Sequence, residues 1–202
     1  MLNKNIIAPG IIVYNIADEL GDSFIDFIED SIGDLFYTSK VVDVDNNYVD
    51  SIHQARRCSE YMLHNQILNG EDTPQKQLLT KIRTASDKCL QDFIATYSVE
   101  PLINEGWIIL KYGESDKFDW HIDAGRRYPR NVSATIYFNE DYEGGEIEYK
   151  HFGISYKPKK GDLILFGSDF TYMHRVVPVR SGLRYAAVNW YRYETRPLEY
   201  VS

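Results

Sequence analysis

The C-terminal half of the chain predicts a succession of short β-strands, and this pattern constrains the fold more than any other feature. Runs rich in β-branched and aromatic residues alternate there with turns that contain Gly and Pro. The predicted strands are Trp107–Tyr112, Val132–Phe138, Glu146–Lys150, Asp162–Phe166, Arg175–Val179 and Leu183–Tyr193. Many short strands separated by such turns are typical of a β-sandwich or a jelly roll.

The N-terminal half has a different pattern of apolar residues and is predicted to be mainly helical. Apolar residues follow helical spacing from Pro74 to Tyr97, with Thr73 placed to cap the helix and Pro74 at its first position. A second helix is predicted over Ala17–Ile32, where Gly33 would end it. Smaller predicted elements are a strand over Ile11–Asn15 and an extended piece over Ser39–Asp50, while residues 51–69 are ambiguous, with a short helix over Ser59–Leu68 as one interpretation.

The residue patterns of the two halves are compatible with one α+β domain. A chain of 202 residues is long enough to bury a sizeable core in a single unit. We therefore expect one domain over residues 1–202, with helical support over 1–100 packed on one sheet of a β-barrel core over 101–195.

The charge and composition of the chain argue against some kinds of binding partner. The net charge of −8 and the isoelectric point of about 5.1 argue against nucleic acid, which favours a basic surface. No apolar run reaches the length of a membrane span, and no signal-peptide core is evident, so a cytoplasmic protein without a membrane partner is expected. Cys58 and Cys89 are expected to be free thiols in a reducing compartment.

A candidate metal site begins with the triplet His121-Ile122-Asp123. Side chains at i and i+2 of a β-strand point to the same face, so His121 and Asp123 could aim an imidazole and a carboxylate at one point. These are two of the three ligands in a 2-His-1-carboxylate iron site. A single H-x-D triplet is also common on surface loops, so the interpretation needs a third ligand.

His174 is the candidate third ligand because it begins a strongly β-forming segment. Ten residues later comes Arg184, whose guanidinium fork suits a carboxylate. If the two residues lie on neighbouring antiparallel strands joined by a turn over residues 180–182, both point into the same barrel mouth. His53, His64 and His151 lack such a pattern and are interpreted as ordinary histidines.

Taken together, the H-x-D triplet, the distal histidine and the arginine ten residues after it resemble the signature of the iron(II)/2-oxoglutarate-dependent dioxygenases. The prolyl 4-hydroxylase branch is the most similar. Tyr112 lies nine residues before His121, Trp190 lies six residues after Arg184, and residues 137–147 are similar to the family's strand and E-G-G-E turn. Residues 158–166 resemble the strand before the distal histidine, so the resemblance extends from Trp107 to Trp190.

The resemblance implies a double-stranded β-helix, a jelly-roll fold related to the cupins. It implies that His121, Asp123 and His174 are the catalytic Fe(II) ligands, and that Arg184 and Tyr112 hold the distal carboxylate of 2-oxoglutarate. It further implies O2 as co-substrate, ascorbate as reductant, and conversion of 2-oxoglutarate to succinate and CO2. The implied reaction is hydroxylation of a carbon, with a prolyl residue of a peptide or protein as the first substrate hypothesis.

Two departures from the branch matter, and the one at Phe118 leaves the substrate open. The branch commonly has tyrosine where this chain has Phe118, and lysine where it has Arg184. Arg130 occupies the position of a substrate-contacting arginine, and Trp190 that of a tryptophan near the metal. The loop over residues 124–131, with Arg126 and Arg127, corresponds to a substrate lid but equally fits a solvated basic loop.

Two alternatives therefore remain beside the prolyl hypothesis. The same chemistry could act on a free amino acid, another small molecule or an alkylated base. A noncatalytic jelly-roll binding module is the alternative from another class.

Overall fold

The computed structural model describes residues 2–22, 24–42, 48–50, 55–63, 69–99, 103–125 and 128–193. Three α-helices occur in this part of the chain: α1 (Ala17–Leu20), α2 (Phe24–Ile32) and α3 (Pro74–Tyr97). The strands of the N-terminal half are β1 (Lys4–Ala8), β2 (Ile11–Asn15), β3 (Tyr37–Thr38), β4 (Lys40–Val42), β5 (Tyr48–Asp50), β6 (Arg56–Arg57) and β7 (Ser59–Leu63). Those of the C-terminal half are β8 (Ile103–Asn104), β9 (Trp107–Tyr112), β10 (Lys117–His121), β11 (Arg130–Tyr137), β12 (Glu143–Gly144), β13 (Ile147–Tyr149), β14 (Ile154–Tyr156), β15 (Asp162–Gly167), β16 (His174–Val176), β17 (Val179–Ser181) and β18 (Arg184–Arg192).

Two antiparallel sheets form the body of the molecule. The major sheet has the order β1-β2-β15-β11-β18-β9-β7-β3, with β8 added beside β18. The minor sheet has the order β14-β13-β16-β10-β6. Their inner faces pack together, since Tyr137 and Phe166 of the major sheet share an apolar cluster with Ile147 and Tyr149 of the minor sheet. This arrangement is the predicted jelly roll, and the fold prediction is confirmed.

The helices cover the outer face of the major sheet, as predicted. Helix α3 begins at the predicted residue, where the hydroxyl of Thr73 accepts a hydrogen bond from the Lys76 backbone N–H at 3.2 Å. Its buried face, which includes Ile82 and Phe93, packs in one cluster with Trp107 and Ile109 of β9. Burial of each such side chain contributes about 1.5–3 kcal/mol relative to exposure. The single-domain assignment of residues 1–202 stays a prediction.

Several local predictions for the N-terminal half were wrong. The predicted helix over Ala17–Ile32 is two helices, because Gly21 after α1 has a φ of 83°, which is incompatible with an α-helix. Ser59–Leu63 is a strand that pairs with β9 and β3, and residues 64–68 lie outside the described residues. The strands β1, β2, β3 and β7 also extend the major sheet, so this half supplies more than helical support.

The relation predicted between His174 and Arg184 was also wrong. The expected strand Arg175–Val179 is interrupted after Val176, because Pro178 lacks the N–H that a ladder needs. After this break the chain forms β17, which pairs with β12, before it enters β18. His174 therefore lies in the minor sheet and Arg184 in the major sheet. The two residues approach the same interior from opposite walls rather than from adjacent strands.

Candidate active site

Three side chains that could hold a metal ion converge between the sheets. His121 ends β10, His174 begins β16, and the two residues are directly paired across these strands. The Nε2 atoms of His121 and His174 lie 3.7 and 3.8 Å from the two carboxylate oxygens of Asp123. An ion bound to two atoms at about 2.1 Å can join them when they lie no more than about 4.2 Å apart. Both distances are shorter than this, so one ion can contact each Nε2 and the carboxylate oxygen beside it.

The route by which Asp123 reaches this point differs from the sequence expectation. Strand β10 ends at His121, and Asp123 follows in a bend rather than on the strand. The pairing of β10 with β16 also shifts register between Phe118 and His121. Such irregularities re-aim side chains near sites, which accounts for the convergence despite the lost alternation.

Backbone carbonyls orient both imidazoles. His121 Nδ1 lies 2.7 Å from the carbonyl oxygen of Asp119, and His174 Nδ1 lies 3.0 Å from that of Tyr172. A carbonyl can only accept, so each Nδ1 carries the proton and each Nε2 offers a lone pair. Burial, together with the neighbouring His174, lowers the pKa of His121 to about 3. The His121 ring is therefore neutral, which is the form that binds a metal.

The carboxylate of Asp123 is held by a short polar chain. The hydroxyl of Ser133 donates to Asp123 Oδ2 at 2.6 Å and lies 2.8 Å from the hydroxyl of Ser168. Burial alone would raise the pKa of Asp123, but His174, His121 and the hydrogen bonds from Ser133 and Trp190 outweigh it and lower the pKa. Asp123 is thus an ionised candidate ligand whose carboxylate is oriented by the Ser133 hydroxyl.

The three side chains line a cavity that also contains Arg184. Arg184 is the first residue of β18 and is 1% exposed. Its guanidinium carbon lies 4.6 Å from the ring of Tyr112 and 4.9 Å from that of Tyr137. A Cβ atom on Gly145 would lie 2.9 Å from Arg184 Cδ, so the Gly-Gly turn gives this side chain its space.

The deep end of the cavity fits a carboxylate. Within the described part of the chain, Arg184 Nε, Arg184 Nη1 and the Tyr137 hydroxyl are buried without a hydrogen-bond partner. Leaving such a donor unsatisfied costs about 1–3 kcal/mol, and more for a charged group. A dicarboxylate such as 2-oxoglutarate would satisfy these donors through its distal carboxylate while its other end faces the metal ligands.

Tyr137, Ser133 and Thr135 are site residues that were not predicted. All three line the cavity, and they alternate along β11. This spacing places polar side chains on one face of an otherwise apolar strand, a signal that the sequence already contained. Tyr112 was predicted to bind the cofactor; its ring lines the cavity, but its hydroxyl interacts with the buried Cys58.

The proposed substrate residues lie at different depths. The ring of Phe118 stacks on that of His121, with centroids 3.5 Å apart. Trp190 lines the cavity. Arg130 stacks on Trp190, with its guanidinium carbon 3.8 Å from the indole, and its Nε donates to Glu105 at 2.8 Å. Arg130 therefore contacts the cavity wall through the tryptophan.

The remaining sequence candidates add little to this site. His151 is exposed in a short 3-10 turn away from the metal ligands. His53, His64, Arg126 and Arg127 lie outside the described residues, so the predicted lid remains a prediction. Cys58 and Cys89 are buried free thiols. Among the helices that the structure describes, none is long and apolar enough to cross a membrane.

Comparison with known proteins agrees with this geometry. Residues 107–192 match the family model described as the 2OG-Fe(II) oxygenase superfamily. The match covers less than half of the chain, so the chain is similar to this superfamily over residues 107–192.

Two curated relatives are PKHD-type hydroxylases. The one from Pseudomonas fluorescens Pf-5 is 38% identical over 102 residues, which is 45% of this chain and 42% of the relative. The one from Pseudomonas aeruginosa PAO1 is 37% identical over 91 residues, which is 39% of each chain. The chain thus spans less than half the length of the curated relatives it matches.

Solved structures share the fold at lower identity. A Trichoplax adhaerens prolyl hydroxylase, in complex with a hypoxia inducible factor peptide fragment, has a TM-score of 0.71 and 19% identity. The match covers 91% of this chain and 83% of that one. A Pseudomonas putida prolyl-4-hydroxylase has a TM-score of 0.65 and 17% identity, over 92% and 94% of the two chains.

Proposed function

We propose that this protein is an Fe(II)/2-oxoglutarate-dependent dioxygenase that hydroxylates a carbon of its substrate. The observation that carries the proposal is one cavity that joins the His121, Asp123 and His174 side chains to the unpartnered donors of Arg184 and Tyr137. Iron(II), 2-oxoglutarate and dioxygen supply the oxidising chemistry when bound, with succinate and CO2 as the co-products.

In this proposal the protein binds, orients and shields. His121 and His174, through their Nε2 atoms, and ionised Asp123 hold the metal, while Ser133 keeps the carboxylate in place. Arg184 and Tyr137 bind the distal carboxylate of 2-oxoglutarate, and the Tyr112 ring packs against the Arg184 guanidinium. Burial between the two sheets excludes water from these charged contacts and strengthens them.

We propose a prolyl residue of a peptide or protein as substrate, with ascorbate as reductant. Support comes from the prolyl hydroxylases that share the fold, one of which was solved with a peptide fragment. The cytoplasmic location expected from the sequence stays a prediction.

The test is uncoupled turnover of 2-oxoglutarate with Fe(II) and ascorbate, measured as succinate. The wild-type protein is expected to form succinate, and Arg184→Met to lose the activity by about tenfold or more, because a charged hydrogen bond to the cofactor is removed. Arg180→Met is the matched control, since Arg180 is an exposed arginine on the preceding strand β17. No succinate from the wild type, or equal rates for Arg184→Met and wild type, would refute the proposal.

A further inference from the structure

A second arginine lines the cavity near the metal ligands. Arg56 of β6 is 9% exposed and belongs to the cavity wall. Its guanidinium carbon lies 5.0 Å from the ring of Phe118, which stacks on His121. Arg56 is therefore separated from a metal ligand by the thickness of one aromatic ring.

The Arg56 guanidinium is only partly satisfied. Its Nη2 lies 3.2 Å from Glu60 Oε2, and this buried carboxylate also accepts a hydrogen bond from Ser39 at 2.6 Å. The Arg56 Nε–H is buried and has no acceptor in the described structure. An unpaired buried donor costs about 1–3 kcal/mol, which an oxygen acceptor entering the cavity would remove.

The charges in the cavity indicate whether the oxygen that accepts from Arg56 belongs to a carboxylate or to an uncharged carbonyl group. Glu60 already neutralises Arg56. At the metal, the charges of Fe(II), Asp123, Arg184 and dianionic 2-oxoglutarate cancel. A substrate carboxylate would bring an uncompensated charge into a buried neutral site, which is costly. An uncharged carbonyl oxygen needs only the free N–H.

We infer that Arg56, with Glu60 as its counter-ion, is a specificity-determining residue that binds an uncharged carbonyl oxygen of the primary substrate. The inference rests on the proposed function, because it assumes that Arg184 and not Arg56 takes the 2-oxoglutarate carboxylate. It separates amide-bearing substrates, such as the peptide of the first substrate hypothesis, from free amino acids, which are among the alternatives that the sequence left open.

The experiment measures ligand binding rather than turnover. The protein is loaded with Zn(II) in place of iron and with 2-oxoglutarate, and saturation-transfer NMR is recorded with two probe pools. One pool contains N-acetylated amino-acid amides, which are uncharged, and the other the corresponding N-acetylated free acids. The wild type is expected to bind members of the amide pool in preference to the acids.

Three variants assign that preference to Arg56. Arg56→Met should weaken binding of the amides by about tenfold or more, as expected when a charged donor is lost. Arg57→Met is the matched control, since Arg57 is the next residue on β6 and its side chain is 56% exposed. Glu60→Gln, which leaves the charge of Arg56 uncompensated, should shift the preference toward the free acids.

Several outcomes would overturn the inference: amide binding that is unchanged in Arg56→Met, preference of the wild type for the acids, or no probe whose binding depends on Arg56. If Arg56→Met does not fold, Glu60→Gln provides the test instead. If Glu60→Gln prefers amides over free acids to the same extent as the wild type, Glu60 does not set the preference by neutralising Arg56, and the inference is wrong. Succinate formation by the wild type separates the two proposals. If succinate forms while these signals fail, the inference about Arg56 is wrong and the dioxygenase assignment stands.

Discussion

Ser133 shows how one hydroxyl orients a neighbouring carboxylate, that of Asp123. It donates to one oxygen of Asp123 and is itself held beside Ser168, so the carboxylate cannot rotate freely. Partners of this kind typically change metal affinity by about 10–100-fold when they are removed.

Ser133→Ala is therefore expected to lower affinity for Co(II), a stand-in for iron, by about 10–100-fold. Isothermal titration calorimetry under anaerobic conditions measures the change. Ser155→Ala is the control, because Ser155 is exposed on β14. Equal affinities for Ser133→Ala and the wild type would mean that the hydroxyl does not orient the ligand.

Tyr137 carries the corresponding prediction for the cofactor. Tyr137→Phe keeps the ring beside Arg184 but removes the unpartnered hydroxyl, so the dissociation constant for 2-oxoglutarate should rise by about tenfold or more. Tyr193→Phe, at an exposed tyrosine, should leave it unchanged. A Tyr137→Phe protein that binds 2-oxoglutarate as tightly as the wild type would contradict this role.

At the scale of residues, spacing in the sequence predicted four charged or metal-ligating residues that the structure brings together. His121, Asp123, His174 and Arg184 stand in one cavity. Spacing did not identify Arg56, because its approach to Phe118 depends on the pairing of β6 with β10 across a large sequence separation. Contacts of that kind follow from the tertiary structure and leave no local periodic signal.

At the scale of elements, a packed tyrosine connects the N-terminal hairpin to His174. The carbonyl of Tyr172 orients the His174 imidazole, while the Tyr172 ring lies against Gly10 and Gly167 and stacks on Phe152. A Cβ on Gly167 would lie 2.2 Å from the Tyr172 ring. The missing side chain at position 167 thus affects the position of His174, a candidate metal ligand seven residues later.

Gly167→Ala is expected to displace Tyr172, destabilise the fold by about 1–3 kcal/mol and weaken Co(II) binding. Chemical denaturation and anaerobic titration measure the two effects. The control is Gly125→Ala, where a Cβ would meet nothing within 4 Å. If Gly167→Ala loses stability but binds Co(II) normally, the tyrosine is structural only.

Sequence patterns predicted helices and strands best where a cap, an apolar stripe or a β-forming composition marks the element. Helix α3 was predicted from its cap and apolar stripe, and β9 from its composition, and both have the predicted bounds. The break between β16 and β17 was missed because Val177 and its neighbours have high β-propensity. Pro178, which lacks the N–H that a ladder needs, interrupts the strand despite that propensity.

At the scale of the whole molecule, the helices stabilise the outer face of the major sheet while the site occupies the inner side. Phe93 of α3 is 3% exposed in the cluster that joins helix and sheet, and it does not line the cavity. Stability and chemistry are therefore carried by opposite faces of the same sheet.

Phe93→Ala should lower the free energy of unfolding by about 3–5 kcal/mol while uncoupled succinate formation, measured well below the melting temperature, stays close to wild type. Urea denaturation gives the first quantity. The expectation fails if activity falls in a protein that is still fully folded at the assay temperature.

The central claim is that His121, Asp123 and His174 form one metal site that cooperates with Arg184 in binding 2-oxoglutarate. The most direct measurement is an anaerobic titration of the purified protein with Fe(II) and then 2-oxoglutarate, followed by absorption and calorimetry. The account predicts one Fe(II) and one 2-oxoglutarate per chain, with both lost in His174→Ala and both retained in His151→Ala. Iron affinity unchanged in His174→Ala would contradict it.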